Sequence, residues 1–88
     1  MIRSSNFILQ NVADSLVLVP VGEATRTFPG MVTMNETGAK LWSFLETEQT
    51  LESLTAALRA EYDVDEELAA KDVAGYVQQL TAIGAIIE

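Results

Sequence analysis

The sequence contains no cysteine and no histidine, two residue types that carry much of protein chemistry. Their absence excludes disulfides, thiol nucleophiles, histidine general bases and the usual ligands of zinc and iron–sulfur sites. Catalysis would have to depend on hydroxyl, carboxylate, amine or phenol groups, and none of the candidate nucleophiles has a candidate base. We therefore expect a protein that is not an enzyme and that uses no cofactor and no metal.

Basic residues are also scarce, with five against thirteen acidic ones, which gives a net charge of −8. Residues 1–34 hold two of each sign, so residues 35–88 carry the whole net charge. Acidic surfaces repel nucleic-acid phosphates and anionic lipids. No apolar run approaches the ~20 residues that span a bilayer, and polar residues interrupt any signal-peptide pattern at the N-terminus. The sequence thus predicts a soluble, cytoplasmic protein with no nucleic-acid partner and no membrane partner.

The chain is short and contains no linker, repeat or low-complexity segment. It has 88 residues, of which 49% are apolar and 20% are charged, and this composition is typical of folded globular proteins. A chain of this length forms one hydrophobic core rather than two. We expect a single domain over residues 1–88.

The first third of the chain predicts β-structure. Residues 6–12 are rich in β-branched and aromatic types and end at a turn-like segment. Residues 16–21 form a continuous apolar run, and we expect Pro20 near the end of that strand. Residues 31–34 follow as a short strand, whereas residues 24–28 fit either a short strand or an extended loop. The prediction is a small antiparallel sheet of three strands.

The remainder predicts three helices, because apolar residues recur there at steps of three and four. Asn35, Thr50 and Asp65 are each suited to accept hydrogen bonds from the free backbone amides at a helix start. Gly84 is suited to end the last helix, where a positive φ is common. A small antiparallel three-stranded sheet followed by three helices is an α+β, winged-helix-like arrangement.

The commonest use of a winged helix is DNA binding, and the charge pattern argues against it here. A specific complex neutralises ~6–10 phosphates, whereas the whole chain has five basic residues. The last two helices offer only Arg59 and Lys71 among a larger number of acids. DNA binding is therefore only an alternative interpretation, as a small DNA-binding or transcription-associated domain. A structural dimerisation domain is a further alternative.

Two features of the helical half have a structural and a functional interpretation. The acidic residues around the last helix start lack the glycine and the distal glutamate of a calcium loop, which favours a solvated linker and helix N-terminus over a metal site. These acids are Asp63, Asp65, Glu66, Glu67 and Asp72. Trp42 stands among apolar residues at helical spacing, which favours a core position over a ligand contact.

The strand at residues 31–34 carries no charge and no proline. Exposed sheet edges usually carry such blocking residues, so an unblocked strand at an edge can accept a further strand. Residues 6–12 are equally unblocked, and the sequence alone does not choose between the two. Met31 and Met34 fit either gaps in the core or an adaptable peptide groove.

The segment around the first helix resembles the PqqD family. Residues 34–39, MNETGA, followed by Leu41-Trp42 and Phe44-Leu45, are similar to the family pattern Leu-Asn-x-Thr-Gly-Ala-x-Ile-Trp-x-Leu-Leu. The likeness continues through both later helices to Gly84 and upstream through the first two strands. The chain departs from the family at residues 46–48, where the family often has a glycine in the turn.

This resemblance implies a peptide-binding module, known as a precursor-peptide recognition element. Such modules capture the leader segment of a ribosomally made precursor peptide and present the rest to a modifying enzyme, such as a radical S-adenosylmethionine protein or a peptidase. In the family, the leader adds as a strand beside the third strand and against the third helix. Carried over by position, the peptide-binding residues are Met31, Val32, Thr33, Met34, Val73, Tyr76, Val77 and Leu80. The resemblance does not identify the precursor or the enzyme. It also leaves open whether the chain forms a homodimer, including one that swaps strands.

Overall fold

The computed structural model describes residues 1–27 and 30–87. Within them the fold is α+β, as predicted, with two antiparallel sheets and four helices. The strands are β1 (Ile2–Arg3), β2 (Phe7–Val12), β3 (Ser15–Pro20), β4 (Val32–Met34) and β5 (Ile86–Ile87). The helices are α1 (Ala24–Thr27), α2 (Glu36–Phe44), α3 (Leu51–Glu61) and α4 (Glu66–Ala82).

The larger sheet has the order β2-β3-β4, so β3 lies in the centre and β2 and β4 are both edges. A two-residue turn joins β2 to β3, with positive φ angles of 51° at Ala13 and 68° at Asp14. Positive φ at both central residues is the type I′ turn, whose twist matches that of the two strands it joins. The three predicted strands are confirmed within one residue at each end, and Pro20 ends β3.

Residues 24–27 form a short helix, α1, so the expectation of a strand or an extended loop over residues 24–28 is wrong for the described part, and residue 28 lies outside it. Local hydrogen bonds explain the difference. Gly22 turns the chain with a φ of 60°, and its carbonyl oxygen accepts from both the amide and the hydroxyl of Thr25. These bonds close one helical turn, which the strand-forming residue types did not reveal.

The three longer helices begin where the sequence predicts. Asn35 accepts a hydrogen bond from the amide of Gly38, Thr50 from Ser53, and Asp65 from Leu68. Each side chain satisfies a backbone donor that has no partner within the helix. Gly84, with a φ of 82°, follows the end of α4, as expected. These caps fix the residue at which each helix starts, and therefore which side chains face the sheet.

The second sheet pairs the two ends of the described chain, β1 with β5. Ser4 and Arg3 donate backbone hydrogen bonds to Ala85 and Leu45, which fixes this sheet to the helical half. A two-residue strand is too short to show any periodicity, so the partner of β5 was not predictable from the sequence. No described helix is both long enough and apolar enough to cross a membrane.

The core lies between the inner face of the larger sheet and helices α2, α3 and α4. Trp42 is 3% exposed and belongs to this core, as predicted. The largest side chains with almost no exposure are Leu18, Leu45, Leu54, Leu80 and Val73. Because β4 ends directly at the cap of α2, this packing holds one edge of the sheet beside a helix, and that edge is where the candidate site lies.

Candidate functional site

Strand β4 is an edge strand whose only described partner is β3. It contains no charge and no proline, so nothing in its sequence blocks the addition of another strand. Val32 is partly buried, Thr33 is exposed and Met34 is buried. Met31 lies just before the strand and is 65% exposed. The edge is therefore short, accessible and uncharged.

The direction of the backbone groups in β4 follows from the ladder. In antiparallel pairs, hydrogen-bonded and non-hydrogen-bonded residue pairs alternate. The amide of Val21 donates to the carbonyl oxygen of Asn6 at 2.7 Å, which fixes the alternation between β2 and β3. In β3, the residues whose backbone groups do not face β2 face β4, and these include Leu16 and Leu18. Their partners in β4 are Met34 and Val32, so the backbone groups of Val32 and Met34 point toward β3. The N–H and C=O of Thr33 therefore point to the free side.

A groove of about 160 Å³ lies between β4 and α4. It is lined by Val32, Thr33, Met34, Asn35, Gly38, Tyr76, Gln79 and Leu80. Sites for small organic ligands usually measure ~300–1,000 Å³, so this groove is too small for such a ligand. Its size and its position beside a strand edge suit individual side chains of an extended peptide.

Three residues join β4, α2 and α4 at this groove. Asn35 accepts from the amide of Gly38 at 2.7 Å, which starts α2 directly after β4. The hydroxyl of Tyr76, on α4, donates to the carbonyl oxygen of Gly38 at 2.8 Å. A Cβ atom at Gly38 would lie 3.2 Å from Asn35 Oδ1 and 3.4 Å from Tyr76 Cε2. A methyl group at Gly38 would therefore crowd the Asn35 cap, and it would be in van der Waals contact with the Tyr76 ring.

Tyr76 is partly buried, and its burial raises the pKa of the phenol well above its ordinary value. The cause is desolvation, because an apolar environment disfavours the charged phenolate. At neutral pH the hydroxyl therefore keeps its proton and remains a hydrogen-bond donor to Gly38. The contact does not depend on pH within the physiological range.

The structure brings six of the eight expected site residues to one region and separates the other two. Val32, Thr33, Met34, Tyr76 and Leu80 line the groove, and Met31 precedes β4 at its end. Val73 has no exposed surface and Val77 is 6% exposed, and both belong to the core. Neither valine is among the residues that line the groove beside β4. Val77 instead borders a separate concavity together with Leu51 and Ala74.

Sequence reasoning missed Gln79 as a lining residue, and it assigned Asn35 only the role of a helix cap. Gln79 lies three residues after Tyr76, so helical spacing alone would have placed both on one face of α4. Asn35 caps α2 as expected, and Asn35 and Gly38 both line the groove. One short segment therefore serves both the fold and the candidate site.

The acidic residues around the start of α4 have structural roles that account for two of them. Asp65 caps the helix, and a carboxylate oxygen of Glu66 lies 3.5 Å from the Arg59 guanidinium. The remaining three, Asp63, Glu67 and Asp72, are exposed. No group of three or more acidic side chains in the described part of the chain is arranged to hold a metal ion.

Other concavities on the described surface are larger than this groove. One, of about 510 Å³, lies between α3 and α4 around the exposed Leu51. Another, of about 530 Å³, lies between β2 and α2. Size alone does not select among the concavities, because the chemistry expected here is recognition of an extended backbone, which requires a strand edge. The groove at β4 and the one at β2 both have such an edge.

A sequence model of the family described as coenzyme PQQ synthesis protein D (PqqD) matches residues 15–86. No curated protein matches the sequence significantly. Among solved structures, the chain is similar to one described as TbiB1 in complex with the TbiA(beta) leader peptide. The TM-score is 0.75 and the sequence identity is 22%, over 97% of this chain and 93% of that chain. At this identity, the likeness concerns the fold.

Proposed function

The chain belongs to the PqqD family, and on this premise we propose that it binds the leader segment of a ribosomally synthesised precursor peptide. The observation that carries the proposal is the free edge of β4 beside the groove of α4. A protein of the same fold, TbiB1, has been solved with a leader peptide bound. The bound segment leaves the rest of the precursor available to a modifying enzyme, such as a radical S-adenosylmethionine protein or a peptidase.

The leader binds as an added strand. The N–H and C=O of Thr33 supply the central pair of backbone hydrogen bonds, and Met31 extends the edge by one residue. Main-chain pairing of this kind provides affinity for a peptide of any sequence. The side-chain contacts therefore determine the register and the selectivity. Alternate residues of the added strand point toward α4 and away from it.

The groove selects the side chains that point toward α4. Met34 and Leu80 are buried apolar residues at its surface, and Tyr76 contributes a ring whose hydroxyl is already bonded to Gly38. The side chain of Gln79 is exposed and carries both a donor and an acceptor. An apolar leader residue fits between Met34 and Leu80, and a polar neighbour fits beside Gln79.

Charge adds a weaker preference. Glu36, at the start of α2, and Asp72, one turn before Tyr76 on α4, are exposed acids next to the residues that line the groove. A leader with a basic residue near either end of the paired segment would be favoured over an acidic one. Because these acids are exposed, salt should reduce the affinity only modestly.

The test is a titration of the isotope-labelled protein with synthetic peptides, one for each leader encoded by short reading frames beside its gene. Amide chemical-shift changes should concentrate at residues 31–35 and at Tyr76 and Gln79, and a scrambled peptide of the same composition should leave them unmoved. Changes confined to β2 or to α3 would contradict the site. The absence of binding by every neighbouring leader would contradict the function.

A further inference from the structure

The other edge of the larger sheet is β2. Residues 8–12 of this strand, ILQNV, carry no charge and no proline, and within residues 1–27 and 30–87 no strand pairs with them on the side away from β3. On that side lies the open groove of about 530 Å³, lined by Leu9 of the strand and by Ala39 and Ser43 of α2 among others. Sheet edges in monomeric proteins are usually blocked by lysine, proline or a bulge. The edge of β2 has the room and the chemistry to accept a strand.

The backbone groups available on this edge follow from the same alternation that applies to β4. Because Asn6 pairs with Val21 by a hydrogen bond, the even-numbered residues of β2 direct their backbone groups toward β3. Leu9 and Asn11 therefore direct theirs outward. The type I′ turn after Val12 supports this assignment. Val12 and Ser15 close the two-residue hairpin, and the closing pair of such a hairpin is hydrogen-bonded.

The solvent-facing side of β2 carries two exposed apolar residues at symmetric positions. Ile8 is 40% exposed and Val12 is 50% exposed, with the exposed Gln10 midway between them. If two copies of β2 pair antiparallel with Gln10 on the two-fold axis, Leu9 pairs with Asn11 of the other copy through their outward backbone groups. The same register sets Ile8 beside Val12 of the other copy, so each apolar side chain gains a cross-strand apolar neighbour.

We propose that the edge of β2 is an interface between two copies of this chain, joined into one six-stranded sheet. Charge supports a second copy as the occupant. Residues 1–34 have no net charge, whereas residues 35–88 carry all of the −8. Two such molecules repel each other least when they meet through the sheet, and strand β2 itself is uncharged.

The dimer leaves both β4 edges at the outer ends of the joined sheet, so it does not compete with the binding site proposed for the leader. A single strand pair buries less than the ~1,200–2,000 Å² of a standard interface. Association should therefore depend on protein concentration, with monomers at low and dimers at high micromolar concentration.

A single cysteine on the two-fold axis tests the register, because the chain has no cysteine of its own. In a non-hydrogen-bonded pair the two Cα atoms lie about 4.5 Å apart, within the range that a disulfide spans. Oxidised Gln10→Cys should therefore give a covalent dimer in most molecules. Val12→Cys is the matched control. Residue 12 of one copy lies about 14 Å from residue 12 of the other, measured along the strands, so cross-linking should be several-fold lower. Equal cross-linking of both variants would overturn the register.

Sedimentation of the whole chain tests the interface itself. The unmodified protein should move from monomer to dimer with rising concentration. Gln10→Glu, which sets two carboxylates opposite each other, should remain a monomer at the same concentrations, and Thr33→Glu on β4 should dimerise normally. A monomer at millimolar concentration, or a dimer that is lost in Thr33→Glu and kept in Gln10→Glu, would overturn the proposal. Neither result bears on leader binding, which is measured separately at β4.

Discussion

The hydroxyl of Tyr76 donates a hydrogen bond to the carbonyl oxygen of Gly38 at 2.8 Å and joins the last helix to the first turn of α2. A Cβ atom at Gly38 would be in van der Waals contact with the ring, 3.4 Å from Tyr76 Cε2. Both residues line the groove beside β4. This hydrogen bond therefore joins α4 to α2 directly beside the strand edge.

Removal of the hydroxyl in Tyr76→Phe should lower the free energy of unfolding by about 1 kcal/mol, the usual net contribution of one hydrogen bond. It should also weaken leader binding, because the ring is no longer fixed in position at the groove. Urea denaturation and peptide titration measure the two effects. Tyr62→Phe is the matched control, since the Tyr62 hydroxyl has no hydrogen bond within the described residues, and it should change neither quantity. Unchanged affinity in Tyr76→Phe would remove Tyr76 from the site.

A methyl group at Gly38 should destabilise the protein, whereas one at Gly75 should stabilise it. In Gly38→Ala the new Cβ atom would lie 3.2 Å from Asn35 Oδ1, so the cap of α2 must move to make room. Overpacking of this kind typically costs about 1–3 kcal/mol, which exceeds the ~0.5–1 kcal/mol that alanine gains in helix propensity. Gly75 is an exposed residue in the middle of α4, and a Cβ atom there would have no neighbour within 4 Å. Gly75→Ala should therefore raise the free energy of unfolding by ~0.5–1 kcal/mol through helix propensity. Opposite shifts of the urea midpoint are expected. Equal shifts would mean that the Asn35 cap makes room for the methyl group without cost.

Proline substitution in β4 separates binding from stability. Thr33→Pro removes an amide that points to the free side, so it should weaken leader binding at least several-fold and leave the fold largely intact. Val32→Pro removes an amide that faces β3, so it should lower the melting temperature clearly. Thermal melting and peptide titration of both variants check this. The reverse outcome would mean that the hydrogen-bond alternation assigned to β4 is wrong.

The sequence predicted those parts of the fold that depend on neighbouring residues. Asn35, Thr50 and Asp65 cap their helices as expected, because a cap requires only a side-chain acceptor and the next few amides. The short helix α1 was not predicted, since its turn depends on hydrogen bonds to Gly22 rather than on an apolar pattern.

The face of α4 that borders the groove was only half predictable. Val73, Val77 and Leu80 form an apolar stripe. Tyr76, the polar Gln79 and Leu80 form a neighbouring stripe, so Leu80 belongs to both. Periodicity shows that a helix has an apolar side, but the packing of α2 and β4 decides which edge of that side remains open. The first stripe lies in the core and the second borders the groove.

The buried phenol of Tyr76 predicts a loss of stability in alkali. Burial raises its pKa above the ordinary value of 10.0, so above pH 10 the unfolded chain releases this proton while the folded chain keeps it. The unfolded state then binds fewer protons, and the free energy of unfolding falls as pH rises, by up to about 1.4 kcal/mol per pH unit. Below pH 10 both states hold the proton and the effect disappears. Urea denaturation between pH 8 and about 11.5 should show this fall in the unmodified protein and in Tyr62→Phe. In Tyr76→Phe the slope of the free energy of unfolding against pH should be less steep, by up to the amount that one proton contributes. An identical decline in all three proteins would show that Tyr76 ionises as freely in the folded state as in the unfolded chain.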